Sequence, residues 1–154
     1  MPSIIVHHLF ANKIYKEINN QNNNLEKAKL IYQTFAQSHD YLYFFKNLNF
    51  QYSKEINELG HIAHREKTQT YFINLIKYIK ENNLQNNPDI IAYLYGSLTH
   101  YILDANCHPF IFYKTGTYNK NNCETEKYHG EHTHIEKDLD AYYFKKHYQK
   151  EYKY

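Results

Sequence analysis

At 154 residues and a net charge of +2, the chain can bury one moderate core but not two, and it carries no bulk field that would recruit nucleic acid or an anionic surface. Two cysteines exclude a disulfide scaffold, leaving Cys107 and Cys123 as thiols with at most one bridge between them. Eleven histidines bear on function, because they recur beside Asp and Glu at helical spacings.

The start, Met1-Pro2-Ser3-Ile4-Ile5-Val6-His7-His8, has neither a basic region nor an apolar run of signal length, and no stretch approaches the roughly 18 apolar residues of a membrane span. A single-domain, soluble, cytoplasmic protein is the expectation. Apolar Ile5, Leu9, Ile14 and Ile18 predict an amphipathic helix over residues 4–19, with His7 on or beside its buried stripe. Asn19 to Asn24 then reads as a loop, since Asn competes for backbone hydrogen bonds.

A second helix is predicted from Leu25 to Gln37, with Leu30, Ile31, Phe35 and Ala36 inward. Ser38-His39-Asp40 closes it, and Asp40 is placed to cap the apolar segment that follows. Leu59-Gly60-His61-Ile62-Ala63-His64-Arg65 opens a long helical segment continuing through Phe72 to Ile79. His61 and His64 are i,i+3 neighbours on it, so one can be a ligand while the other orients it.

A central helix starts at Pro88 or Asp89, and Pro109 is expected to end it at His108. Each residue turns 100° and rises about 1.5 Å, so His100, Asp104 and His108 fall within an arc of about 80°. His100 and Asp104, one turn apart, can chelate one cation, whereas His108, roughly 12 Å further along, serves a second more naturally. A His four residues from an Asp can also be a plain ion pair on a wet face. Here Tyr101, Ile102, Leu103, Ala105 and Cys107 surround the trio, and charged groups among apolar neighbours need a partner or a metal.

Residues 113–130 lack periodicity and read as a long loop, of the kind that is often functional. The last helix should begin near Glu131 with Ile135, Leu139 and Tyr142 inward. On it His132 and Glu136 are four apart, suited to one metal, and Asp140 lies one turn beyond. His129, His134 and His147 are assigned to the surface. No phosphate-binding glycine loop, CxxC pair, GxSxG elbow or HExxH helix is present, which disfavours nucleotide-binding and serine-nucleophile enzymes.

In their order along the chain, Met1-Pro2-Ser3 with His7, His39-Asp40, Gly60-His61-Ile62-Ala63-His64, Gly96 through Asp104 with Cys107-His108-Pro109, and His132-Thr133-His134-Ile135-Glu136 with Asp140 resemble the zinc-dependent phospholipase C family. The resemblance implies an all-α fold, a helical bundle that holds three zinc ions and hydrolyses phosphodiesters. Carried over, Asp40, His64, His100 and Asp104 would hold one zinc, and His108, His132 and Glu136 a second. Asp104 would also reach a third zinc beside His7. That third ion is completed in the secreted phospholipases by the amino group of an N-terminal Trp, and this chain begins Met-Pro-Ser instead.

Two or three zinc ions are therefore expected, with Asp40 acting as ligand or as the general base. The substrate expected is a phosphodiester such as a phospholipid headgroup, with transient membrane contact through exposed Tyr and Phe. A zinc nuclease is the alternative enzyme, and nucleic acid is disfavoured as substrate by the lack of a basic groove. A non-catalytic helical protein with structural zinc is the alternative outside enzymes.

Overall fold

The computed structural model describes residues 4–19, 23–43, 45–46, 50–65 and 67–152. These form helix α1 (Ile4–Asn19), a 3-10 turn (Asn23–Ala28), α2 (Lys29–Phe35), α3 (Asp40–Tyr43), α4 (Phe50–Arg65), α5 (Thr68–Glu81), α6 (Pro88–Thr115), a second 3-10 turn (Cys123–Tyr128) and α7 (Glu131–Tyr148). The protein is all-α, with no strand among the described residues. Nor is any helix among them long and apolar enough to cross a membrane. The chain divides into two compact units, Ala11–His100 and Met1–Phe10 with Tyr101–Tyr154. Residues 1–3 and 20–22, which include the start of the family-like pattern and the middle of the Asn-rich loop, lie outside the described residues.

The core of the Ala11–His100 unit is built from Ala11, Tyr15, Leu25, Ala28, Tyr32, Ala36 and Ala92, with Ile18, Ile31, Ile91 and Tyr95 packed against it. Its alanines let helices approach closely, and Tyr32 fills the space between them. The Tyr32 ring is fully buried, and its hydroxyl donates to the Ala11 carbonyl at 3.1 Å and shares a hydrogen bond with Thr99 Oγ1 at 3.1 Å. A buried phenol needs such partners, because an unpaired one costs about 1–3 kcal/mol. Gly96 completes the contact between α2 and α6. A Cβ there would lie 2.6 Å from the Tyr32 carbonyl oxygen and 3.1 Å from the Ala36 amide, so the two backbones touch.

Several expectations change. The buried line of α1 runs through His7, Ala11 and Tyr15, and not through Ile5, Leu9 and Ile14. The predicted second helix is a 3-10 turn followed by a short α2, on which Leu30 is 76% exposed while Leu25 and Tyr32 are inside. The segment from Leu59 to Ile79 is two helices, broken where Lys67 adopts a left-handed φ of 53°. Tyr142 is exposed and Asp140 takes the inward position on α7. Cys107 and Cys123 are both free thiols.

The largest difference is at Pro109, which lies inside α6 and does not end it. Proline removes one helical hydrogen bond and costs about 3 kcal/mol. The extra turns bury Ile111 and Thr115 and bring the Phe112 ring to 5.8 Å from His108, which offsets that cost. The long loop expected over 113–130 shrinks accordingly and contains the second 3-10 turn.

Candidate metal centre

Three elements of the Ala11–His100 unit deliver Asp40, His64 and His100 to one point. Ser38, with a left-handed φ of 40°, turns the chain out of α2 so that Asp40 opens α3. The Asp40 side chain does not serve as the expected cap; its Oδ1 lies 2.8 Å from His64 Nε2 and 3.8 Å from His100 Nε2. His64 comes from the last turn of α4, and its Nδ1 donates to the Gly60 carbonyl at 2.8 Å. His100 comes from α6, and its Nδ1 donates to the Ala36 carbonyl at 3.2 Å.

A carbonyl accepts only, so each neutral imidazole must hold its proton on Nδ1 and present a lone pair at Nε2. The two Nε2 atoms then face each other at 3.4 Å. Two lone pairs at that distance repel unless a cation lies between them. Asp40 Oδ1 is buried and, for all its closeness to His64, receives no hydrogen bond, as expected of an oxygen aimed at a shared point and not at a proton. Ligand atoms about 2.0–2.1 Å from a tetrahedral zinc sit roughly 3.3 Å apart. These donors therefore fit zinc, and all three lie within 4.8 Å of one another.

His39, next to Asp40, is not in this group. Its Nδ1 meets Ser38 Oγ at 2.8 Å, its ring stands edge-on to Tyr71, and burial pulls its pKa below the ordinary histidine value. His61 turns to the Tyr43 ring, 4.8 Å away, and His64 is the member of the pair that joins Asp40 and His100.

A second group forms in the other unit from His108 of α6 and His132 and Glu136 of α7. Glu136 Oε1 lies 2.8 Å from His132 Nε2 and 3.6 Å from His108 Nε2, and the residue is 3% exposed. The two imidazoles stack at 5.2 Å, and Phe112 packs on both. The nearby Glu136 carboxylate raises the pKa of His108, whereas burial lowers that of His132. His132 Nδ1 is buried without a hydrogen-bond partner, so no carbonyl locks this ring as Ala36 and Gly60 lock theirs.

His7 and Asp104 form a third element in the same unit. His7 is 2% exposed and its Nε2 lies 3.1 Å from Asp104 Oδ1, while Asp104 Oδ2 is 3.9 Å from His108 Nδ1. A cavity of about 40 Å³ is lined by His7, Asp104, His108 and Glu136. The Cys107 thiol also lines it, and burial, with the nearby Asp104 carboxylate, raises its pKa. Asp104 thus stands with His7 and His108 and belongs to neither three-residue group. The chain start, where the resemblance implies an amine ligand, lies outside the described residues.

Sequence reasoning missed two things here. The carbonyls of Gly60 and Ala36 carry no sequence signal, since every residue has one. Asp140, noted only for its spacing, is buried at 6% exposure, and its Oδ1 accepts the Val6 N–H at 2.9 Å. No curated protein and no solved structure matches the chain. Among protein families, the one described as zinc dependent phospholipase C matches residues 6–154, from the first turn of α1 through the two histidine-carboxylate groups to the end of the chain. A match of that extent shows that the chain belongs to the zinc-dependent phospholipase C family.

Proposed function

We propose that the chain is one domain that hydrolyses phosphodiesters, phospholipid headgroups among them, with zinc held by its own imidazoles and carboxylates. Asp40, His64 and His100 hold one ion and His108, His132 and Glu136 another. His7 and Asp104 contribute to a third. Bound zinc draws charge from the phosphoryl oxygens and lowers the pKa of water to about 7.

The chain's own residues do the rest. Gly60 and Ala36 hold the two imidazoles in the tautomer that ligates, which second-layer partners of this kind improve by about 10- to 100-fold in affinity. Asp40 faces His64 through Oδ1, leaving its other oxygen to take the proton from the attacking water. Phe112 shields the stacked His108 and His132 rings from bulk water on one side.

The observation that carries this reading is the facing pair of Nε2 atoms at 3.4 Å, each with its Nδ1 committed to a carbonyl. Contact with a phospholipid surface is supported two and five residues beyond His108 on α6. There Phe110 and Tyr113 are 55% and 81% exposed, and the Lys114 ammonium lies 5.6 Å from both rings.

The test is hydrolysis of a chromogenic phosphocholine diester by the zinc-loaded chain, before and after chelation. Turnover that disappears on chelation and returns with zinc is expected. Zinc bound without turnover of any diester would refute the enzyme and favour structural zinc, and cleavage confined to single-stranded nucleic acid would replace the phospholipid by a nucleic-acid substrate.

A further inference from the structure

We propose that Asp140 is a positioning residue: by gripping the Val6 amide it fixes the first turn of α1 and so sets His7 against Asp104. The inference rests on the reading of His7 and Asp104 as zinc ligands. It assigns a role to a buried carboxylate that belongs to neither three-residue group.

Asp140 follows His132 and Glu136 at the same four-residue spacing, so the three side chains share an arc of about 80° on α7. The residue is 6% exposed, where a carboxylate needs strong compensation. Its Oδ1 accepts the backbone N–H of Val6 at 2.9 Å, across 134 residues of sequence. Val6 lies in the first turn of α1, whose amides have no acceptor within the helix and whose dipole favours a negative charge.

The bond therefore satisfies both ends, and it does so one residue before His7. A ligand group must be held within about 0.5 Å of its working position. His7 is 2% exposed, and its Nε2 meets Asp104 Oδ1 at 3.1 Å. Through Asp140, the helix that carries His132 and Glu136 also dictates where His7 stands. A merely structural staple would give the chain stability and nothing more. A positioning residue governs one class of zinc sites and leaves the others alone.

The experiment measures zinc per full-length chain by elemental analysis, and affinity by competition with a chromogenic chelator. Asp140→Ala should lose one zinc equivalent, or weaken one class of sites at least tenfold. His7→Ala should lose the same class, and the double variant should lose no more than either alone. Asp140→Asn keeps an oxygen that can accept the Val6 amide and should bind zinc within threefold of wild type. Asp140→Glu keeps the charge, displaces the oxygen by a methylene, and should weaken the same class; it decides the matter should the alanine variant not fold.

Wild-type zinc count and affinities in Asp140→Ala or Asp140→Glu, whatever the change in melting temperature, would overturn the proposal. A wild-type chain that takes up no zinc overturns the ligand reading and this inference with it, which is a distinct result from normal wild-type loading with indifferent Asp140 variants.

Discussion

Replacing Gly96 by alanine tests whether the contact between α2 and α6 sets the metal chemistry. In a helix interior the change alone should stabilise by about 1 kcal/mol. Here the added Cβ would lie 2.6 Å from the Tyr32 carbonyl oxygen, 3.1 Å from the Ala36 amide and 3.1 Å from the Phe35 carbonyl carbon. Ordinary contacts are about 3.5 Å, so relief requires the two backbones to part by roughly half an ångström to an ångström. None of the three atoms is the tip of a flexible side chain.

Overpacking of this kind costs about 1–3 kcal/mol, which leaves a net loss of roughly 0–2 kcal/mol after the propensity gain. The functional cost is larger. His100 Nδ1 reaches the Ala36 carbonyl at 3.2 Å, and half an ångström more takes it past the limit of a hydrogen bond. The tautomer of His100 is then no longer held, and zinc affinity at the Asp40, His64 and His100 group should fall by about 10- to 100-fold. The assay is a chelator-competition titration, paired with urea denaturation of the metal-free chain. Unchanged zinc affinity with a gain of about 1 kcal/mol would show that α2 yields freely and that the carbonyl lock is not what prepares His100.

His64→Ala should remove one zinc equivalent while the His108, His132 and Glu136 group keeps its own, as elemental analysis would show; loss of every zinc would mean the two groups do not bind independently. Tyr32→Phe removes a buried donor to the Ala11 carbonyl, while the Thr99 hydroxyl keeps its bond to the Tyr95 carbonyl at 2.8 Å, and should cost about 1 kcal/mol in urea denaturation of the metal-free chain with an unchanged slope. Glu136 raises the pKa of His108, so their pairing stabilises the metal-free chain fully below about pH 6.5 and fades as pH climbs through the raised value. The melting-temperature advantage of wild type over His108→Asn, measured without metal, should shrink as pH rises from that point; a constant or growing advantage would contradict the sign. Phe110→Ser with Tyr113→Ser should slow hydrolysis of vesicle phospholipid several-fold and leave a short soluble diester untouched, and equal losses on both would place these rings elsewhere in the reaction.

Spacing made the α7 pair legible as spatial neighbours, because His132 and Glu136 are one helical turn apart in sequence. The same holds along α6, although the halves of the His100, Asp104, His108 series serve different partners. Asp40, His64 and His100 come from three elements, and no periodicity joins them; only the family-like motifs put them together. Helix existence was readable, since apolar periodicity marks it. Helix breaks were not, because Lys67 takes a left-handed turn without Gly or Pro nearby and Pro109 is absorbed within α6. Burial was misjudged wherever a polar ring or carboxylate outcompeted an aliphatic side chain. Tyr32 is inside and Leu30 outside because the phenol finds two partners, and Asp140 displaces Tyr142 inward because α1 offers it an unsatisfied amide.

The charge of the donors would let a chain with a formal net charge of only +2 attract an anion. Each three-residue group offers two neutral imidazoles and one carboxylate, Asp40 in one and Glu136 in the other. A divalent cation in either leaves one positive charge in surplus at that group, confined where burial keeps water from screening it. A phosphodiester carries one negative charge, so under the proposed function its attraction would be local and would depend on loading. Had the donors been richer in carboxylates, the surplus would vanish and the group would suit a structural ion. Exchanging His64 for aspartate makes that change at one group. The surplus there should disappear and affinity for a phosphodiester should fall even where zinc stays bound, whereas unchanged substrate affinity with full zinc occupancy would show that local charge is not what draws the anion.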